Sequence, residues 1–331
     1  MILQLQIRSN KHKIEGANMS EKLRNLGFYN GKYDLIENMN VPMSDRVCWF
    51  GDGVYDATAT RNGVIYCLDD HIDRFFNSAS LVGIEIPYTK DELKDLLKDL
   101  VLKVDTSKTN GETFLYWQIT RGANVPRNHV FPEDTKPNLW VTVTPRKLAD
   151  IYRKDKLISY EDVRFYMCNI KTLCLLPNVL ASEAAKRAGA EECVMYRKEA
   201  DGIKNRVTEG AHTNVHCIKD GILYTAPLDN LVLPGIARKN IIKVCNKLGI
   251  PVKEEGFSLE FLMNADEVML SSSSNFCIVA THIDNIPVGG KAPELLRKIQ
   301  DALFEDYIYS TKDEYDYVMQ ISRRRAIRTR L

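Results

Sequence analysis

The stretch HTNVHCIKDGILYTAPLDNLVLPGIAR, residues 212–238, decides the fold class. It predicts a strand over His212–Ile218 and a second one after Lys219-Asp220-Gly221, because Asp-Gly supplies the positive φ angles of a tight hairpin turn. Leu233-Pro234-Gly235-Ile236 then leads into an amphipathic helix carrying Ile241, Ile242, Val244, Cys245 and Leu248, stopped by Gly249 and Pro251. Locally joined strands followed by a short helix belong to an α+β chain and not to the regular βαβ alternation of a doubly wound sheet. The same mixture recurs outward from this stretch. Thr89 and Glu92 have capping-box spacing, and Leu93, Leu96, Leu97 and Leu100 recur on one face, which predicts a helix over 90–103. Thr113–Thr120 and Leu139–Thr144, rich in β-branched and aromatic residues, read as strands. A helix over Val179–Ala188 ends at Gly189, a strand follows at Glu192–Tyr196, and a later strand over Glu267–Leu270 runs into Ser271–Ser274.

A polar, proline-containing segment from Glu133 to Asn138, then Pro145 to Lys156, divides the chain into a smaller N-terminal α+β domain over 19–145 and a larger C-terminal domain over 146–310. The length of 331 residues suits two domains of roughly 150 residues each. With 45 Lys+Arg against 44 Asp+Glu the net charge is +1, which excludes a generally basic nucleic-acid binder. The ends are basic and the body mildly acidic: residues 322–331 carry five Arg and no acid. Residues 1–18 read as an upstream extension and 311–331 as a basic tail, and neither guides the functional reading. The eight cysteines show no C-x-x-C pair, which points to reduced thiols and to no metal site. No apolar run approaches the ~20 residues that span a bilayer, so the chain reads as cytoplasmic and not membrane-bound.

The common nucleotide and hydrolase motifs are missing. Gly51-Asp52-Gly53 is too short for a dinucleotide loop, and Ser271–Ser274 lacks the G-x-S-x-G frame. What remains suits a phosphorylated aromatic aldehyde: a lysine, an acid, a helix N-terminus with nearby hydroxyls, and an arginine. In order and spacing, FGDGVYD (50–56), HIDRFFNSA (71–79), RGANVPRNHVFP (121–132), NIKTLCLLPNVLA (169–181), VTEGAHTNV (207–215), KDGILYTAP (219–227) and LPGIAR (233–238) resemble the signature blocks of the class IV, fold-type IV pyridoxal-phosphate aminotransferases, above all those acting on D-amino acids. The resemblance covers about residues 25–305 and implies a two-domain α+β fold with the cofactor at the domain interface.

Several roles follow from that resemblance. Lys171 matches the lysine that anchors pyridoxal 5′-phosphate and then moves a proton between the substrate Cα and cofactor C4′; Leu173, Leu175 and Leu176 give it an apolar setting that favours the neutral amine. Glu209 matches the acid that pairs with the pyridine nitrogen and makes the ring a better electron sink. Arg74 matches the phosphate arginine, Ile236 and Ala237 open a helix whose free N–H groups suit an anion, and Ser271 and Ser272 supply hydroxyls. Leu233 lies beside them. Ala237 stands where a threonine hydroxyl is usual. Tyr55, Arg127 and His129 resemble the trap for the substrate α-carboxylate, with Arg127 and His129 contributed across a homodimer interface.

Two departures stand out. His212 and Thr213 replace small hydroxyl residues; His212 could narrow the pocket, contact the cofactor's 3′-oxygen, or fill space. Asp56 replaces the more usual Glu, shortening whatever contact that acid makes. The implied reaction moves an amino group from a D-amino acid such as D-alanine to a 2-oxo acid such as 2-oxoglutarate, in two ping-pong halves. Branched-chain L-amino-acid transamination, an aminodeoxychorismate lyase and a silent pyridoxal-phosphate-binding protein are the alternatives.

Overall fold

A computed structural model describes Glu15–Gly16 and residues 22–312. The expected extension, apart from Glu15–Gly16, and most of the expected basic tail lie outside the described residues. Two sheets organise the chain. The first contains β1 (Glu15–Gly16), β2 (Leu26–Tyr29), β3 (Lys32–Asp34), β4 (Gly53–Arg61), β5 (Val64–Ile65), β6 (Glu112–Thr120) and β7 (Asn138–Pro145), in the order β1-β3-β2-β7-β6-β4-β5. β4 and β6 pair antiparallel from Gly53↔Thr120 to Arg61↔Glu112. A short helix α1 (Arg46–Phe50) precedes β4. Helices α2 (Leu68–Leu81) and α3 (Lys90–Leu102) lie against this sheet. Ile72 and Phe75 of α2 and Leu93, Leu97 and Leu100 of α3 are buried with Val54, Leu115 and Trp117, a helical i, i+3, i+4 stripe packed on alternate strand positions. Thr89 and Glu92 form the capping box that the sequence predicts.

The second sheet contains β8 (Lys154–Glu161), β9 (Glu192–Ala200), β10 (Ile203–Val207), β11 (Asn214–Lys219), β12 (Ile222–Thr225), β13 (Val252–Glu254), β14 (Glu267–Ser271), β15 (Ile278–Ile283) and β16 (Ile286–Pro287). Its order is β10-β9-β8-β15-β14-β11-β12-β13, with β16 paired to β15. Helices α4 (Leu176–Arg187), α5 (Ile236–Lys247), α6 (Leu259–Met263) and α7 (Pro293–Ser310) complete the chain. The predicted hairpin joins β11 to β12, with Asp220 at φ 51° and Gly221 at φ 74°.

Three expectations need correction. Hairpins do not account for all the pairing: β8 runs parallel to both β9 and β15, and β8–α4–β9 is a crossover unit. β8, the strand-like approach to the lysine block, starts inside the segment expected as a domain boundary, because Lys154, Asp155 and Lys156 hide its alternation. α4 begins at Leu176, three residues early, since Pro177 sits in the first turn, where a missing N–H loses no helical hydrogen bond. β11 begins at Asn214, so His212 and Thr213 belong to the turn before it. Ala59, Tyr66, Ile151, Phe276 and Tyr307 form a cluster drawn from both sheets' segments. Among the described residues, no helix is long and apolar enough to cross a membrane.

Candidate active site

One cavity of about 740 Å³ collects residues from both sheets, including Tyr55, Arg74, Lys171, Glu209, His212, Leu233, Ile236, Ala237, Ser271 and Ser272. Lys171 reaches it from the connection between β8 and α4, which is stitched to the first sheet: Tyr55 N–H donates to the Lys171 carbonyl at 2.9 Å, and Lys171 N–H to Ser78 Oγ at 3.2 Å. Its ammonium lies 4.3 Å from the centre of the Tyr55 ring. The leucine setting is only partial, since Leu176 is 68% exposed.

At one side of the cavity Arg74 donates from Nε and Nη2 to the two Asp56 oxygens, at 2.9 and 2.7 Å, and from Nη1 to the Pro234 carbonyl at 3.2 Å. Asp56 and His71 are fully buried, and His71 Nδ1 lies 2.7 Å from Asp56 Oδ1. Burial alone would push the Asp56 carboxyl up; the Arg74 guanidinium and the His71 ring overcome it and hold the carboxyl well below the usual range. Asp56 therefore keeps the guanidinium in place. α5 starts at Gly235 with no side-chain cap, leaving the first-turn N–H groups of Ile236 and Ala237 at the cavity wall. A Cβ at Gly235 would meet Asn214 Oδ1 at 1.9 Å, so this close approach requires glycine.

Glu209 is 5% exposed and heavily bonded. Arg164 Nη1 donates to Oε1, while Asn214 Nδ2 and Leu233 N–H each donate to Oε2 at 3.0 Å. Burial pushes the Glu209 carboxyl upward, and Arg164 works against that rise. Arg164 is itself tethered by Asp162, at 2.8 Å. His212 pairs through Nδ1 with the buried Glu192 carboxylate at 2.7 Å. Glu192 also accepts from the N–H groups of Cys193 and Ala211, at 2.9 and 3.1 Å, so it fixes the turn that carries His212. Burial would push His212 down; the Glu192 carboxylate holds it above its ordinary value.

The loop residues divide. His129 lies along the cavity wall of its own chain, its ring 4.9 Å from that of Phe50. Arg127 does not line the cavity; its guanidinium rests 4.9 Å from the Phe50 ring. Within one chain, Tyr55 and Arg127 are not brought together.

The residues present fit pyridoxal 5′-phosphate: an amine, a buried carboxylate for a ring nitrogen, and a guanidinium with uncapped helix N–H groups for a phosphate. The class IV aminotransferase family model matches residues 53–283. The chain belongs to that family. D-alanine aminotransferase of Listeria monocytogenes serotype 4b is 39% identical to this class IV aminotransferase over 277 residues, 82% of this chain and 92% of that one. D-alanine aminotransferase of Staphylococcus haemolyticus is 39% identical over 86% of this chain and 98% of its own. Among solved structures, the Escherichia coli branched-chain amino acid aminotransferase superposes with TM-score 0.76 at 23% identity, covering 88% of this chain and 97% of that chain. The branched-chain aminotransferase of the thermophilic archaeon Thermoproteus uzoniensis, solved with norvaline, gives TM-score 0.74 at 21% identity, over 88% and 96%. These structures bear out the expected two-domain, fold-type IV α+β architecture.

Sequence reading missed the support of the site. Arg164, Asn214, His71 and Glu192 act through other side chains, and nothing in their local sequence marks them. Asp56 was visible only as a shortened acid, not as the partner of Arg74.

Proposed function

We propose that this class IV aminotransferase uses pyridoxal 5′-phosphate to move the amino group of a D-amino acid, such as D-alanine, to a 2-oxo acid, such as 2-oxoglutarate. The observation that carries the choice is the 39% identity, over 92% of their length, to relatives named D-alanine aminotransferase. The branched-chain alternative rests on structures only 23% identical, which speak to fold alone. Pyridoxal phosphate, when bound, supplies the electron sink for the bond-breaking at Cα.

The chain's own residues do the rest. Lys171 Nζ, which reaches the cavity, would anchor the cofactor and would be the base that takes and returns the substrate's Cα proton. Glu209, whose carboxyl accepts from Arg164, Asn214 and Leu233, would pair with the ring nitrogen. Arg74, the first-turn N–H groups of Ile236 and Ala237, and the hydroxyls of Ser271 and Ser272 hold the phosphate, with Leu233 presenting its N–H to Glu209. The N-terminal domain over 19–145 carries Tyr55, Arg74, Arg127 and His129, and the C-terminal domain over 146–310 carries Lys171, Glu209 and the other cofactor residues.

The active unit is a homodimer in which Arg127 and His129 of the partner subunit complete the carboxylate trap with Tyr55. Exposed apolar side chains support this: Phe165, Tyr166 and Met167 beside the cavity, and Leu176, Val179 and Leu180 at i, i+3, i+4 on the outer face of α4. All eight cysteines are free, which supports a cytoplasmic enzyme. The test is a panel of D- and L-amino acids with 2-oxoglutarate, following loss of each enantiomer. Consumption of D-alanine, reduced at least tenfold by Arg127→Ala, is expected for loss of a bidentate charge-assisted contact; consumption of L-leucine with D-alanine untouched would overturn the reading.

A further inference from the structure

Two fully buried histidines touch the serine loop at the cavity, and they touch it with opposite polarity. His216, on β11, places Nε2 2.8 Å from Ser271 Oγ. Its other ring nitrogen, Nδ1, is buried with no hydrogen-bond partner among the described residues. Burial, with the nearby Arg238 charge adding to it, pushes this imidazole down to about 3, so the ring is neutral and carries a single N–H. Placing that hydrogen on Nδ1 would orphan a buried donor, which is costly; placing it on Nε2 satisfies it. His216 is thus the donor and Ser271 Oγ the acceptor. The Ser271 hydroxyl then has its own hydrogen to place, and Ser271, 1% exposed, has no other side-chain hydrogen bond among the described residues and lines the cavity.

His71 imposes the reverse. Its Nδ1 is 2.7 Å from the Asp56 carboxylate, which can only accept, so Nδ1 carries the hydrogen. Burial also lowers His71. The neutral ring leaves Nε2 as a lone pair, and Nε2 lies 3.3 Å from Ser273 Oγ. Ser273 therefore gives its hydrogen to His71 and offers only lone pairs to the cavity. An anion repels lone pairs and attracts N–H and O–H groups, so the two serines are not equivalent toward a phosphate.

We propose that His216 is a positioning residue: by donating from Nε2 to Ser271 Oγ it turns the Ser271 hydrogen into the cavity, making Ser271, unlike Ser273, a donor to the cofactor phosphate. The inference rests on the reading of this cavity as a pyridoxal-phosphate site. It also supplies a reason for the Ala237 departure to be tolerated, since a hydroxyl lost on α5 is matched by one whose direction is fixed from β11.

The experiment titrates the full-length chain, stripped of cofactor, with pyridoxal 5′-phosphate and separately with pyridoxal, reading the absorption change. His216→Phe is expected to weaken pyridoxal 5′-phosphate about 10- to 100-fold, the range for one hydrogen bond to a charged group, and to leave pyridoxal unchanged. Adding Ser271→Ala to His216→Phe should produce no further loss, His216→Gln should recover most of the affinity, and Ser273→Ala should leave it within about twofold. Equal loss of both ligands, additive losses in the double variant, or a Ser273→Ala effect as large as that of Ser271→Ala would each overturn the proposal. Should His216→Phe fail to fold, the Ser271→Ala and Ser273→Ala pair still decides it. A wild-type chain that binds neither ligand would instead sink the reading of the cavity.

Discussion

Lys171, Glu209 and Arg74 stand in the cavity through different kinds of support, and this difference sets what each substitution does. Lys171 is held by its backbone bonds and by the Tyr55 ring beneath its amine, so Lys171→Ala should fold normally, yet lose the visible absorption of bound cofactor and all transamination; a yellow Lys171→Ala protein would remove the lysine from its role. Arg74 is held by a buried ion pair. Asp56→Asn leaves that guanidinium without its counter-charge and is expected to lower stability by about 3–5 kcal/mol, seen as a fall in Tm, and to weaken cofactor binding as well. The buried histidines add a pH dependence. His216 titrates at about 3 in the folded chain and near its ordinary 6.5 when unfolded. Its folded value is depressed, so its contribution is fully present above 6.5 and is lost as pH falls from there toward 3, at up to about 1.4 kcal/mol per unit. Tm measured from pH 7.5 to 5 should fall in the wild type and less steeply in His216→Gln. Most of the residues that line the cavity were legible in the sequence because their blocks are local; the contacts of His216 and Asp56 were not, since their partners are 55 and 18 positions away.

At the scale of elements, what was legible had its cause nearby in the chain. The Thr89–Glu92 box, the Asp220-Gly221 turn and the leucine stripe of α3 are determined within four residues, and each is found as predicted. β8 and the start of α4 were not, because a charged parallel strand shows its burial only once β9 and β15 flank it. The start of α5 is set by both kinds of constraint. Gly235→Ala adds one methyl group, compatible with the local backbone at φ −68°, but places it against Asn214, which in turn holds Glu209. The substitution should therefore weaken cofactor binding at least tenfold with a loss of stability in the 1–3 kcal/mol range of an overpacked core. A wild-type titration curve for Gly235→Ala would show that α5 can move away at no expense to the site.

At the scale of the whole molecule, the proposed dimer makes a prediction that no single chain can satisfy. Lys171→Ala and Arg127→Ala subunits, each of low activity alone, should restore about one quarter of wild-type activity when co-expressed in equal amounts, because half the dimers are hybrids and each hybrid has one intact site. Failure to complement would place Arg127 in its own chain's reaction. The resemblance implied two domains with the site between them, but not the contacts that join them, such as that between Arg74 and the Pro234 carbonyl, 160 positions apart. That contact also orders events in time. A nascent chain exposes Tyr55, Arg74 and Lys171 before Glu209, Gly235 and Ser271 have been synthesised, so the complete cavity exists only once the second half has been made and folded. Because ligand binding adds RT ln(1 + [L]/Kd) to stability, the chain loaded with pyridoxal 5′-phosphate is expected to resist proteolysis better than the stripped chain.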